Sequence, residues 1–286
     1  MSKPNVAILG LGIMGSGMAG RLLSASFPVT VYNRDQAKCA PFVKQGASAA
    51  ATPREAASNA QIIISMVAND EASRGVCLGS DGALAGAGPG TLMIECSTLT
   101  AEWILELAAK AAEHHCQFLD APVTGTKPHA ASGELTFLVG GSSEAVAIAQ
   151  PVFSVLGRET IHLGPTGSGA LMKLVNNFVC GVQAASLAEA LRFIDTSGLD
   201  RAKALAILTG GAPGSGIVKR VADRVTNNDF APNFALRWMA KDLSYAQHEA
   251  ATRKLTLKTV GAAQSIFESA IDKGHGDEDF SAVSKF

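Results

Sequence analysis

The chain lacks an excess of charge of either sign. Its 24 lysines and arginines stand against 25 aspartates and glutamates, a net charge of −1. Without a basic field, neither nucleic acid nor an anionic membrane surface is an expected partner. Its five cysteines, Cys39, Cys77, Cys96, Cys116 and Cys180, are odd in number and scattered, with no CxxC. That spacing predicts neither a disulfide framework nor a zinc site, so no metal is expected, and the cysteines read as reduced core thiols of a cytoplasmic protein. No apolar run is long enough to span a bilayer: the stretch 174–188 holds Asn176, Asn177 and Gln183. The N-terminus runs through Lys3 into a strand-like segment with no signal-peptide pattern. Repeats, low-complexity segments and charge blocks are missing too. A small-molecule partner is what these absences leave, and 286 residues suffice for two domains.

Among the features present, the first is a glycine loop. Val6 to Leu9 is a short apolar run ending in Gly10-Leu11-Gly12-Ile13-Met14-Gly15, and helical periodicity follows over Met18 to Leu23. In a strand–loop–helix unit, Gly10 makes the tight turn, Gly12 lets the backbone approach a pyrophosphate, and Gly15 permits close helix packing. A second strand, Val29 to Tyr32, ends in Asn33-Arg34-Asp35, the position that reads the adenosine ribose. A neutral Asn33 beside Arg34, which can pair with phosphate bidentately, favours NADP(H) over NAD; the alternative is that Asp35 takes the 2′-hydroxyl. Thr52-Pro53-Arg54-Glu55 predicts a helix start. Ile62 to Val67 reads as a parallel strand buried on both faces, placing Val67, Ala68 and Ala72 over the cofactor. Thr91 to Cys96 repeats the pattern and brings Thr98 toward the nicotinamide, while Thr100 caps the next helix. His114-His115 reads as a solvated helix end.

The segment from Phe118 to His129 reads as a loop between strands, rich in glycine, proline, hydroxyls and cations, and suited to an anion through Thr124, the Gly125 amide and Lys127. His129 reads as a surface residue of that loop. An alternating strand Leu135 to Val139 and a short strand near Thr160 to Leu163 close an α/β half. Beyond it the chain reads as helices: Gly167 to Gly198, Arg201 to Leu208, Ile217 to Val225, Leu236 to Thr252 and Val260 to Lys273. In the long first one, Leu171, Leu174, Val175, Phe178, Val179 and Val182 recur at helical spacing. Lys173 and Asn177 share one face there, and Gly181 continues it with room for a flat ligand. Phe234 and Trp238, four apart, are candidates for a pocket wall, and Lys241-Asp242 sets a cation beside a carboxylate. A lysine, an asparagine or an aromatic pair at these spacings is equally compatible with ordinary surface and core roles.

Four segments together resemble the β-hydroxyacid dehydrogenase family over nearly the whole chain: LGLGIMGSGMA at 9–19, DAPVTGTKPHAASGELTFLVGG at 120–141, GSGALMKLVNN at 167–177 and KDL at 241–243. Within that family NRD, GTKP, NFALRWMAKDL and GDEDFSAV at 276–283 look most like the glyoxylate and succinic semialdehyde reductases, which use NADPH. The resemblance implies a Rossmann-like α/β domain (1–165) and an all-α domain (166–286) joined by a long interdomain helix, with the active site in the cleft. It implies Lys173 as catalytic acid/base with Asn177 as its orienting partner. Thr98, Thr124, Gly125, Phe234 and Asp242 are implied on the substrate. Gly10, Leu11, Gly12, Ile13, Met14, Gly15, Asn33, Arg34, Val67, Ala68, Ala72, Thr98 and Lys241 are implied on the cofactor. The expected activity is reversible hydride transfer between NADP(H) and a short aldehyde acid. Thr124 replaces the family's usual serine, and TKPH departs from the 3-hydroxyisobutyrate pattern, which leaves a 3-hydroxyisobutyrate or tartronate semialdehyde enzyme, an imine reductase or a non-catalytic NADP-binding scaffold as alternatives. A homodimer or homotetramer is expected from the alanine- and leucine-rich helical half.

Overall fold

A computed structural model describes residues 3–285. The chain parts into two compact units, one up to Lys173 and the other from Leu174. The first is built on strands β1 (Val6–Leu9), β2 (Val29–Tyr32), β3 (Ser48–Ala49), β4 (Ile62–Ser65), β5 (Leu92–Glu95), β6 (Gln117–Asp120), β7 (Val123–Thr124), β8 (Leu135–Gly141) and β9 (Gly157–Gly164). Its helices are α1 (Ile13–Ser24), α2 (Ala40–Val43), α3 (Pro53–Ala57), α4 (Asp70–Cys77), α5 (Ala83–Gly86), α6 (Ala101–Glu113), α7 (Lys127–Ser132) and α8 (Ser143–Leu156). The strand order is β3-β2-β1-β4-β5-β6-β8-β7, with β9 on β8. The first six are parallel, and β8 runs antiparallel to β6 and β7. This is the doubly wound arrangement, in which the chain reverses direction across the sheet between β1 and β4.

The unbroken apolar strands explain why the sheet is covered on both sides. Successive side chains point to opposite faces, so Val6, Ile8, Ile62 and Ile64 join one core while Ala7, Leu9 and Ile63 join another. Full burial of each of these large side chains is worth about 1.5–3 kcal/mol before chain entropy is counted. β8 is buried along its whole length rather than alternating, because β6 and β7 on one edge and β9 on the other place it inside the sheet.

The second unit is helical: most of α9 (Ser168–Ser197), then α10 (Arg201–Gly210), α11 (Gly216–Thr226), α12 (Leu236–Thr252) and α13 (Lys258–Ala270). α9 is 30 residues of continuous helix, and Gly198, at φ +77°, supplies the left-handed residue just past its end. Leu174, Ala184, Leu187, Ala188 and Leu191 of α9 pack with Leu236, Met239, Leu243 and Phe267.

Several elements differ from the sequence reading. α1 starts at Ile13, inside the glycine motif. β9 is twice the expected length because it extends along β8. α13 stops at Ala270, where a wider π turn takes over and Gly274 adopts φ +90°. Val175 and Val179 are exposed rather than core-facing, since the apolar contacts of α9 lie on its Leu174 side. Cys39, Cys77, Cys96 and Cys116 are buried and Cys180 half-buried, all as free thiols. Among the described residues no helix is long and apolar enough to cross a membrane, and no cluster of His, Cys, Asp and Glu could hold a metal ion.

Candidate active site

The carboxyl ends of the parallel strands gather the predicted cofactor residues in the first unit. Gly10 takes φ +102°, and a Cβ there would lie 2.3 Å from the Met66 carbonyl oxygen. A Cβ on Gly15 would lie 2.0 Å from the Gly10 oxygen. Both glycines are therefore required by packing within the protein, whatever binds there. Gly12 is different: a Cβ would meet nothing, and as N-cap of α1 it offers no side-chain cap. The first-turn amides of Ile13 and Met14 thus lack a side-chain acceptor at a helix end that favours anions, a donor set that fits a pyrophosphate.

Asn33 ties the second loop to the first. Its Oδ1 accepts from the Leu11 amide at 2.9 Å and its Nδ2 donates to the Asp35 carbonyl. The Asp35 carboxylate accepts from Ala37 N at 3.2 Å, capping a short 3-10 turn, while Arg34 is exposed. The first acidic group beyond β2 thus has one oxygen engaged locally, and both it and the cation beside it lie at the surface.

Val67, half-buried after β4, donates its amide to Ser97 Oγ at 2.7 Å. Ser97 N donates to Glu95 Oε1 at 2.9 Å, and Ser73 Oγ to Glu95 Oε2 at 2.7 Å. The loops carrying Val67 and Thr98 are thereby joined by the Ser97 hydroxyl, and a carboxyl with no exposed surface ties them to Ser73 of α4. Burial pushes the Glu95 pKa above its ordinary 4.5, against the hydrogen bonds from Ser97, Ser73 and Ser65 that pull it down. Across the pH window that opens upward from about 4.5, native Glu95 binds more proton than unfolded Glu95, so its contribution to stability falls as pH rises. Glu95→Gln removes that dependence. Urea denaturation at about pH 5 and pH 8 should show the variant gaining on the wild type at the higher pH, whatever its constant offset; a parallel pair of pH curves would contradict the assigned proton.

Ala72 is half-buried in α4, its amide bound to the Asn69 cap, and Ala68 is exposed just before it. Thr98 is half-buried, and Thr100 caps α6 as expected, accepting from Trp103 N. His114 and His115 are exposed at the end of α6.

The segment read as one anion-holding loop is partly regular. Thr124 lies on β7 and Lys127 opens α7. The Thr126 amide donates to His129 Nδ1 at 3.1 Å, so His129 closes a helix N-terminus instead of standing in a loop. Gly125, at φ +128° and exposed, bridges the two elements.

Sequence reasoning missed the role of Asp120. Fully buried at the end of β6, it accepts from Gly167 N and Ala170 N, each at 2.8 Å, and so fixes the start of α9. Burial nevertheless raises its pKa above 3.8. A Cβ on Gly140 would stand 2.5 Å from its Oδ1, and one on Gly169 2.2 Å from the Leu138 carbonyl oxygen. The signal was a carboxylate terminating an otherwise apolar strand, and Glu95 carries the same signal.

Lys173 is half-buried in α9, and Asn177 one turn later is 5% exposed. Asn177 Nδ2 donates to Asp242 Oδ2 at 2.6 Å, and Asn176 Nδ2 donates to Asn177 Oδ1 at 2.9 Å. Asp242, with no exposed surface, also holds Lys241 Nζ at 3.0 Å from Oδ1, and Lys241 stands 4.7 Å from the centre of the Tyr245 ring. The Lys241-Asp242 pair is thus part of a largely buried chain ending on Asn177, not a solvated face. One expectation is corrected. Gly181 leaves no room for a ligand, because a Cβ there would lie 3.0 Å from both Leu243 Cδ2 and Met239 Sδ; it permits α9 and α12 to approach. Phe234 stands just before α12, which starts at Leu236 as expected, and packs edge-on to Phe280 at 6.1 Å.

Comparison with known proteins adds to this geometry. Residues 5–164 match the family model described as the NAD binding domain of 6-phosphogluconate dehydrogenase, and residues 167–286 that of the NAD-binding domain of NADP-dependent 3-hydroxyisobutyrate dehydrogenase. The chain is 36% identical to an NAD-dependent L-serine dehydrogenase of Pseudomonas aeruginosa, covering 98% of this chain and 96% of that one. It is 34% identical to glyoxylate/succinic semialdehyde reductase 1 of Arabidopsis thaliana, over 97% and 96% of the two chains. The structure of a Mycobacterium tuberculosis 3-hydroxyisobutyrate dehydrogenase with L-serine superposes with a TM-score of 0.89 at 32% identity, covering 99% of this chain and 98% of that one.

Proposed function

Because the chain belongs to the NAD(P)-dependent β-hydroxyacid dehydrogenase family, a family of oxidoreductases, we propose that it reduces short aldehyde acids, glyoxylate and succinic semialdehyde, to hydroxy acids with NADPH. The observation that carries this reading is the half-buried Lys173 one helical turn from an Asn177 whose amide is fixed by buried Asp242. The nicotinamide, when bound, supplies the hydride. Thr124 Oγ1 and the Gly125 amide hold the substrate carboxylate, Thr98 and Phe234 border the remainder of the substrate, and Asp242, with no exposed surface, acts on it through the Asn177 amide. Lys173 Nζ polarises the carbonyl and gives its proton to the oxygen as negative charge develops there. Asn177 orients that exchange, and in the reverse direction Lys173 takes the proton back. The Gly10 to Gly15 loop, Val67, Ala68, Ala72 and Lys241 carry the cofactor.

NADPH over NADH is supported by Asp35 being engaged as a cap while Arg34 is exposed beside it. Arg34→Ala should raise KM for NADPH about tenfold and leave KM for NADH nearly unchanged; an equal rise for both would remove Arg34 from phosphate recognition. The division at 165/166 belongs to the same proposal: it is supported by the change of family model between 164 and 167, while the compact units part inside α9. A homodimer or homotetramer is supported by the exposed stripe Met172, Val175 and Val179.

A second reading, oxidation of a serine-like β-hydroxy acid, is favoured by the identity to the Pseudomonas enzyme. Initial rates decide between them. Purified protein is assayed for NADPH and NADH oxidation with succinic semialdehyde, glyoxylate, tartronate semialdehyde and methylmalonate semialdehyde, and for NAD and NADP reduction with L-serine and 3-hydroxyisobutyrate. The first two aldehydes turning over fastest with NADPH is the expected result, and faster oxidation of L-serine would establish the second reading.

A further inference from the structure

The segment GDEDFSAV at 276–283 has no part in the chemistry above, yet one of its residues is the hub of a buried network. Asp279 is 1% exposed. Its Oδ2 accepts from the amides of Asn233 at 3.1 Å and Phe234 at 3.3 Å. Its Oδ1 accepts from Ser281 N at 3.2 Å and Ser281 Oγ at 2.8 Å, and stands 3.3 Å from Arg224 Nε. Arg224, itself buried, also donates to the Ala231 carbonyl and approaches Asp229. The main chain repeats the tie: Asp279 N donates to the Phe230 carbonyl, Phe280 N to the Phe234 carbonyl and Leu236 N to the Glu278 carbonyl.

Phe234 is therefore held at both of its backbone groups by the tail, its amide by the Asp279 carboxylate and its carbonyl by Phe280, whose ring also meets its own. Residues 231 and 232 beside it are exposed, so without the tail this stretch before α12 would have little to fix it. A buried ion pair is weak as a source of net stability, and its best-attested use is to fix one geometry; this one converges on residues 230–234, where the tail holds Phe234 at both its amide and its carbonyl.

We propose that Asp279 is the positioning residue for Phe234, through which the C-terminal tail sets the length of aldehyde acid the enzyme prefers. This rests on the reading of Phe234 as a substrate contact. In Asp279→Asn one oxygen becomes an amide donor facing other donors, so either the Asn233 and Phe234 amides or the Ser281 and Arg224 groups lose their acceptor.

The test compares wild type, Phe234→Ala, Asp279→Asn and the double variant. KM and kcat are measured for succinic semialdehyde and glyoxylate, and NADPH affinity by calorimetry. The expected result is that D279N raises KM for succinic semialdehyde about tenfold, more than for glyoxylate, with NADPH affinity within about twofold. The double variant should be no worse than F234A alone, because both changes act through one side chain. Full additivity of the two, or a D279N that keeps the wild-type preference while F234A loses it, would overturn the proposal alone. An F234A with unchanged KM for both aldehydes would instead overturn Phe234 as a substrate contact. Should D279N fail to fold, Arg224→Gln, which leaves the carboxylate in place without its cation, is scored against the same criteria, with about a threefold rise in KM expected.

Discussion

Lys173→Ala should lower kcat for aldehyde acid reduction by about 10²–10⁴-fold, the usual weight of a positioned proton donor, while NADPH binds nearly as before. The asymmetry follows from the structure. The cofactor loops are fixed by Gly10, Asn33, Ser97 and Glu95, none of which involves Lys173. Lys173 is half-buried on α9, a helix anchored at its start by Asp120 and running unbroken through Asn177. Truncating its side chain therefore removes the proposed proton donor without breaking the helix, since alanine is the strongest helix former. Stopped-flow turnover beside calorimetric NADPH binding makes the check. A variant that loses both together would have lost the fold or a cofactor contact, and a variant that loses neither would make Lys173 an ordinary helix lysine. Asn177→Ala should act more weakly, because Lys173 keeps its proton, but it leaves buried Asp242 without its 2.6 Å partner, so its loss of rate is expected to come with some loss of stability.

The second large effect is on folding. Asp120→Ala should destabilise the protein by about 3 kcal/mol, because the amides of Gly167 and Ala170 lose their only charged acceptor in a buried position. For a chain of this size that corresponds to a fall of about 5 °C in Tm. Asp120→Asn should cost less, since one oxygen remains to accept from one of the two amides. No rotation of a neighbouring side chain replaces the lost group: the space around the carboxylate is made by Gly140 and Gly169, which carry none. Differential scanning calorimetry of the two variants gives the order, and an alanine variant as stable as the wild type would refute the anchoring role.

The parts legible in the sequence are those where one local signal decides. Glycines at a strand–helix junction, uninterrupted apolar strands and a 30-residue periodic stretch without proline led directly to the sheet, the glycine turn before α1 and α9. The boundaries of α12 were visible because its apolar positions recur at helical spacing up to Thr252. The misreadings fall where a distant segment decides. Gly181 looked like space for a ligand because α12, some sixty residues later, is invisible locally. That Phe234 is tied to Phe280 was equally hidden, because the residues that hold it come some forty-five positions later. His129 looked like a loop residue, although Thr126 three positions earlier was a sufficient cap signal. Glu95 and Asp120 share one pattern, a carboxylate closing an apolar strand, whereas Asp279 follows two other acidic residues and carried no such signal. Such a residue persists inside a core only when several donors converge on it, and those donors come from other elements.

The free cysteines have a use beyond packing. Alkylation requires a thiolate, and burial pushes the thiols of Cys39, Cys77, Cys96 and Cys116 upward. Their labelling in the native protein is therefore gated by how often the surrounding structure opens, not by the chemistry of the reagent. These four lie in the first unit, and the half-buried Cys180 is the single cysteine of the second. The first unit thus carries native chemical clocks, so that mass-resolved labelling of its four buried thiols times local opening there without any introduced probe.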